Sequence, residues 1–128
     1  MPVVHIHVGA GRSAAEKKGI LDGVHAALVE AFRIPESDRT QILHEHAQEH
    51  FESRHGPGFT LIEATVFPGR TTEAKKKLFA AIVRNLEASA GIDPAKVLIV
   101  VHEPPLECWG IRGGKPATDV AIGFKLDV

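Results

Sequence analysis

Pro2 directly follows Met1 and opens an alternating run, Val3-Val4-His5-Ile6-His7-Val8. A methionine ahead of proline is usually removed after synthesis, which leaves Pro2 with a secondary α-amine. A free α-amino group has a pKa of about 7.7–8.0, and apolar burial or a nearby cation lowers it. An amine near neutrality suits general acid–base work. Two arginines, Arg12 and Arg70, each stand just ahead of a predicted helix. The helix dipole disfavours cations there, so their presence points to a task other than stability.

Other residues carry chemistry in principle. His44-Glu45-His46-Ala47-Gln48-Glu49-His50 contains the string H-x-x-E-H. That motif binds metal only when a helix brings both histidines to one face. Here it follows a strand-like segment without an amphipathic stripe, so we expect no metal site and read a polar edge strand entering a loop. Gly9-Ala10-Gly11-Arg12-Ser13-Ala14 fits the dinucleotide fingerprint. A strand carrying His5 and His7 on one face is unlike the all-apolar first strand of such folds. The segment instead reads as a glycine-permitted turn feeding a helix. Cys108, with no base partner to be named, reads as a small packing residue.

The elements that position these residues are written twice. Sliding the chain by 58 positions aligns its halves without a gap. Val8 falls on Val66, Gly11 on Gly69, Arg12 on Arg70, Lys17 on Lys75 and Leu28 on Leu86. Each half reads strand, Gly-Arg-Ser/Thr, amphipathic helix, strand. The first helix is expected over 13–32, with a Ser13/Glu16 capping box and a stripe of Ile20, Leu21, Val24, Leu28 and Phe32. Pro35 stops it. The second is expected over 72–90, with Leu78, Phe79, Ile82, Leu86 and Ala90 as its stripe and Gly91 as its stop. Val4, Ile6 and Val8 share one strand face, and Ile62, Ala64 and Val66 match them, so one sheet face packs on both helices. The other face, with Val3, His5, His7 and Glu63, is mixed and suits solvent or a neighbouring subunit. Strands over 40–45 and 96–102 close the two β-α-β units, placed at about 2–46 and 60–102. Segment 47–59 reads as a loop. The Gly/Pro-rich tail ends in Ala121-Ile122-Gly123-Phe124, expected as a short strand or hairpin.

Composition sets the frame. The chain has 128 residues, 44% apolar, enough for one core in one domain. Fifteen Lys plus Arg against sixteen Asp plus Glu leave a net charge of −1, which argues against nucleic acid as a partner. The one cysteine fits a reducing compartment. No apolar run is long enough to span a membrane. The expectation is a cytoplasmic protein.

An amino-terminal proline, two β-α-β units and an arginine before each helix together resemble the tautomerase superfamily. The opening Pro-Val-Val-His-Ile-His-Val-Gly-Ala-Gly-Arg-Ser is similar to that of 4-oxalocrotonate tautomerase. Ile34-Pro35-Glu36-Ser37-Asp38-Arg39-Thr40-Gln41-Ile42, Arg70-Thr71-Thr72-Glu73-Ala74 and Trp109-Gly110-Ile111 resemble the malonate semialdehyde decarboxylase branch. The resemblance implies an α/β (α+β) fold, a four-stranded sheet with both helices on one face, and a homotrimer with inward-facing sheets. It implies no cofactor and a small keto or enol carboxylate as the partner. It assigns acid–base work to Pro2, carboxylate binding and polarisation to Arg70, and positioning of water or substrate to Asp38. Arg12 matches the substrate arginine of the short tautomerases, and Trp109, Ile111 and Phe124 match an apolar substrate wall. The decarboxylase carries two arginines one residue apart before its second helix, and Pro68 stands where the first would be. A tautomerase needs only one base and one carboxylate anchor and is the expected activity. Decarboxylase or hydratase activity, and a non-catalytic binding or signalling protein of the same fold, are the alternatives.

Overall fold

A computed structural model describes residues 2–128, so the fate of Met1 lies outside the described residues. Strand β1 (Val3–Gly9) leads into helix α1 (Ala14–Phe32) and strand β2 (Gln41–His46). Strand β3 (Thr60–Thr65), helix α2 (Thr72–Ala90) and strand β4 (Val97–His102) repeat the pattern, followed by the two-residue strands β5 (Gly110–Ile111) and β6 (Lys115–Pro116).

The helix ends follow their caps. Ser13 Oγ accepts the Glu16 N–H at 3.1 Å and Glu16 Oε1 accepts the Ser13 N–H at 3.2 Å, the reciprocal box that starts α1. Thr71 Oγ1 accepts the Ala74 N–H at the start of α2. Both helices end on a left-handed residue, Arg33 and Gly91.

The main sheet has the order β2-β1-β3-β4. β1 and β2 are parallel, β3 and β4 are parallel, and the two units meet where β1 runs antiparallel to β3. That pairing sets Val3 opposite Thr65 and His7 opposite Leu61. Val4, Ile6, Val8, Ile62, Ala64 and Val66 turn to one face and are buried against Ile20, Val24, Leu28 and Phe32 of α1 and Leu78, Ile82 and Leu86 of α2. Apolar burial of this kind contributes about 25 cal/mol per Å². The helices approach closely along Gly19 and Gly23, where Ser89 Oγ donates to Gly19 O and Asn85 Nδ2 donates to Gly23 O.

The second sheet face is open. It carries a histidine array and two exposed aliphatics, Ile42 at 46% and Leu98 at 50%. Among the described residues no helix is long and apolar enough to cross a membrane.

Two expectations for the tail are corrected. Residues 121–124 form no strand; the small hairpin is β5–β6 instead. Ile122, Phe124 and Leu126 pack by side chain on the Phe67–Ile111 cluster, so burial rather than a ladder holds them. Cys108 is an exposed free thiol in a one-turn 3-10 helix, not a packing residue. Segment 47–59 is irregular except for one 3-10 turn at Gln48–His50.

Candidate active site

Sheet register gathers most of the candidate residues at one end. Pro2 is buried and precedes Val3, which faces Thr65 at the end of β3. The Val4 N–H donates to Thr40 O at 3.0 Å, which brings the start of β2 and the turn carrying Asp38 to the same end. β3 continues through Phe67 to Arg70. Gly69, at φ +121°, makes that turn, and a Cβ there would lie 3.3 Å from Leu126 O, so both backbone and space call for glycine. The tail closes over this turn, with Val128 O accepting from Thr71 N–H at 3.2 Å and Thr71 Oγ1 at 3.0 Å.

Arg70 is 6% exposed. Its Nη1 donates to Phe67 O at 3.2 Å, and its Nε is buried with no partner among the described residues. The guanidinium carbon lies 4.9 Å from the Phe32 ring centroid and 5.7 Å from that of Phe124. Burial pushes the Arg70 pKa below its ordinary value, and the charges of Glu103 and Asp38 oppose that shift. Arginine stays protonated in proteins all the same, so a fixed cation sits here with its buried Nε uncommitted among the described residues.

Next to it is a cavity of ≈ 70 Å³ lined by Asp38, Phe67, Ile111, Arg112 and Phe124, among others. Phe67 and Phe124 both contact Arg70 and form part of this wall. Asp38 is half-buried, and its N–H donates to Pro35 O in the turn after α1. Of the expected wall, Ile111 and Phe124 line the cavity. Trp109 stands one layer behind, edge-on to Phe67 at 4.8 Å, with its indole N–H donated to Pro104 O.

Arg12 is not at this end. It follows β1 at the far end of the strand, where Nη1 donates to Glu16 Oε2 at 3.1 Å and to Ala90 O at 3.3 Å. Arg112, Phe67 and Phe32 were missed in the sequence. The only signal for Arg112 was its place between Ile111 and two glycines, where it adopts a left-handed φ of 47°.

The histidines form an array rather than a chelate. His5 Nδ1 meets His44 Nε2 at 2.8 Å, and His7 Nδ1 meets His46 Nε2 at 2.8 Å. The rings of His7 and His44 stack at 4.5 Å. Among the described residues no group of three His, Cys, Asp or Glu is placed to hold a metal ion.

Comparison with known proteins decides the family. A family model described as "Tautomerase enzyme" matches residues 38–112, and a second with the same description matches residues 2–53. The chain belongs to the tautomerase family. This tautomerase is 29% identical over 121 residues to the probable tautomerase YrdN of Bacillus subtilis (strain 168), covering 90% of this chain and 94% of that one. Among solved structures it is similar to the FG41 malonate semialdehyde decarboxylase inhibited by 3-bromopropiolate, at 32% identity and a TM-score of 0.81, over 94% and 98% of the two chains. It is similar also to a fused 4-OT solved as a symmetric trimer, at 26% identity and a TM-score of 0.83, over 91% and 96%. The two β-α-β units and the four-stranded sheet are the fold of these relatives, and the chain is an enzyme of the tautomerase type.

Proposed function

We propose that this tautomerase interconverts small keto and enol carboxylates with Pro2 as the acid–base group and Arg70 as the carboxylate anchor. The observation that carries the reading is Arg70 itself: a buried, charged guanidinium with an uncommitted Nε, behind a cavity at the Pro2 end of the sheet. An arginine fork holds a carboxylate by two parallel charge-assisted bonds. Arg70 also favours the neutral form of the Pro2 amine. Neutral Pro2 nitrogen takes the proton from the enol oxygen and returns a proton to the adjacent carbon. Isomerisation then needs no cofactor. Asp38 is assigned to positioning substrate at the cavity wall, with Ile111 and Phe124 facing its apolar part and Trp109 supporting Phe67.

The open sheet face supports assembly as a homotrimer with inward-facing sheets. Ile42 and Leu98 are exposed there, and the similar fused 4-OT was solved as a symmetric trimer. The unpaired thiol of Cys108 fits a cytoplasmic location.

A second reading, decarboxylase or hydratase activity, is favoured by Arg112. It brings a second guanidinium to the wall that also holds Asp38, although position 68 is proline.

The test is ketonisation of phenylenolpyruvate by protein whose mass confirms Met1 removal. Pro2→Ala is expected to lose roughly 10²-fold or more in kcat, the usual worth of acid–base catalysis, though not all of it because alanine keeps a primary amine. Processed Pro2→Ala with wild-type activity would overturn the mechanism. A monomer by light scattering at micromolar concentration would overturn the trimer.

A further inference from the structure

A second cavity, ≈ 230 Å³, lies at the opposite end of β1. The β1–α1 turn from Gly9 to Arg12 forms one side, and Gln48, Phe51 and residues 56–59 form the other. The 58-residue repeat makes it the counterpart of the Pro2 end. Arg70 corresponds to Arg12. The surroundings correspond as well. The ion pair Lys75–Glu103, at 2.5 Å, recurs as Lys17–Glu45 at 3.1 Å. Arg70 rests on Phe32 in the last turn of α1, and Arg12 donates to Ala90 O, the repeat-equivalent position in α2.

The correspondence breaks at two chemically decisive positions. Thr60 stands in place of Pro2. Its nitrogen is an interior amide with no basic lone pair, so this end lacks the amino-terminal base. Lys96 stands in place of Asp38. Its Nζ donates to Pro57 O at 2.9 Å, on the cavity rim. The second cavity therefore keeps the arginine, lacks the amino-terminal base, and has a lysine bonded to its rim where the first is lined by an acid.

We infer that this cavity is a non-catalytic binding site for a small carboxylate with an apolar body. Arg12 and Lys96 supply the charge, and Phe51 and Phe59 supply the wall. Glu16 already pairs with Arg12, but among the described residues both hydrogen bonds of Arg12 use Nη1. The edge formed by Nε and Nη2 is the one a ligand carboxylate takes. Each chain then holds two carboxylates in unlike settings, one at the Pro2 end that reacts and one at Arg12 that does not. The second site rests on Arg12 and Lys96 and does not depend on Pro2 acting as the base.

The probe is 3-phenylpropionate, which has no enolisable keto group, titrated into the processed protein and followed by proton–nitrogen NMR. The amides of Gly56, Gly58 and Phe59 are expected to shift saturably, on a curve separate from those of Gly69 and Phe124. Arg12→Gln and Lys96→Gln should each weaken the first curve by roughly tenfold, the worth of one charge-assisted hydrogen bond. The second curve should persist in both. Lys96 is partly exposed, so Lys96→Gln should fold normally and keep the wild-type ketonisation rate. No saturable shift at Gly56 to Phe59 overturns the inference, and so does a curve that both substitutions leave unchanged. Loss of only the Gly69 and Phe124 response counts against the catalytic reading and leaves the second site standing.

Discussion

Arg70 lays its guanidinium 4.9 Å from the centre of the Phe32 ring, so the last turn of α1 supports the arginine that opens α2. Such a contact contributes about 0.5–2 kcal/mol, the upper part when water is excluded, as it is here. Arg70→Ala should raise KM and lower kcat together, because the anchor also polarises the substrate. Arg70→Lys should recover only part of the loss, since a point charge lacks the planar fork. Phe32→Leu should raise KM severalfold while the protein stays folded by circular dichroism. Wild-type steady-state constants for Arg70→Lys would remove the anchor role.

Arg112 lines the same cavity from the β5–β6 turn, on a left-handed backbone that costs a non-glycine residue roughly 1–2 kcal/mol. Two substitutions separate the guanidinium from the backbone. Arg112→Ala and Arg112→Gly should raise KM by the same factor, because both remove the charge. Only Arg112→Gly should also raise the melting temperature, by relieving the strained φ. Unchanged KM in both would place Arg112 outside the site.

Much of this architecture was legible beforehand. The alternation of Val4, Ile6 and Val8 and the even repeat fixed which strand faces meet the helices, and the helices expected over 13–32 and 72–90 run from Ala14 to Phe32 and from Thr72 to Ala90. The grouping of Asp38 with the Arg70 turn followed from the resemblance. Arg12 was harder to place: the repeat pairs it with Arg70, but the antiparallel contact of β1 with β3 sends the two turns to opposite ends of the sheet. Arg112 and Phe67 line one cavity because the tail packs back on residues 67–71, a long-range arrangement with no local pattern. The apolar run at 121–124 looked like a strand, yet no sheet edge pairs with it.

The histidine array should make stability depend on pH. His7 faces His44 and His46 from β2, Glu63 from β3, and His5 on its own strand, with His102 of β4 on the far side of Glu63. Burial first, then the charges of His44 and His46, push the His7 pKa below its ordinary value, and Glu63 opposes them. The folded state therefore binds fewer protons at His7 than the unfolded state, so this contribution is complete above the unfolded pKa of about 6.5. It is lost as pH falls through the lower folded value. A further proton also turns the acceptor nitrogen of a His–His pair into a donor and breaks that bond. The urea midpoint should fall from pH 7.5 to pH 5.5, and His7→Gln should fall less. Equal pH dependence in the two proteins would sink this account.

The helix crossing that holds Phe32 under Arg70 depends on Gly19. A Cβ at this position would lie 3.0 Å from Ser89 Cβ and 3.2 Å from Ser89 O, and the backbone oxygen cannot swing away. Replacing glycine in a helix gains about 0.5–1 kcal/mol of propensity at most. Overpacking a fitted contact costs about 1–3 kcal/mol, and a β-branched residue recovers less of the propensity. Gly19→Val should therefore destabilise, lowering the urea midpoint with an unchanged slope, and should break the Ser89 Oγ to Gly19 O bond seen at 3.1 Å. Gly110→Ala is the control, because nothing lies within 4 Å of its Cβ position. It should stay within about 0.5 kcal/mol of wild type. A Gly19→Val protein as stable as the Gly110→Ala control would show that α1 and α2 can separate without loss, and the close crossing would then not be what holds α1 beneath the site.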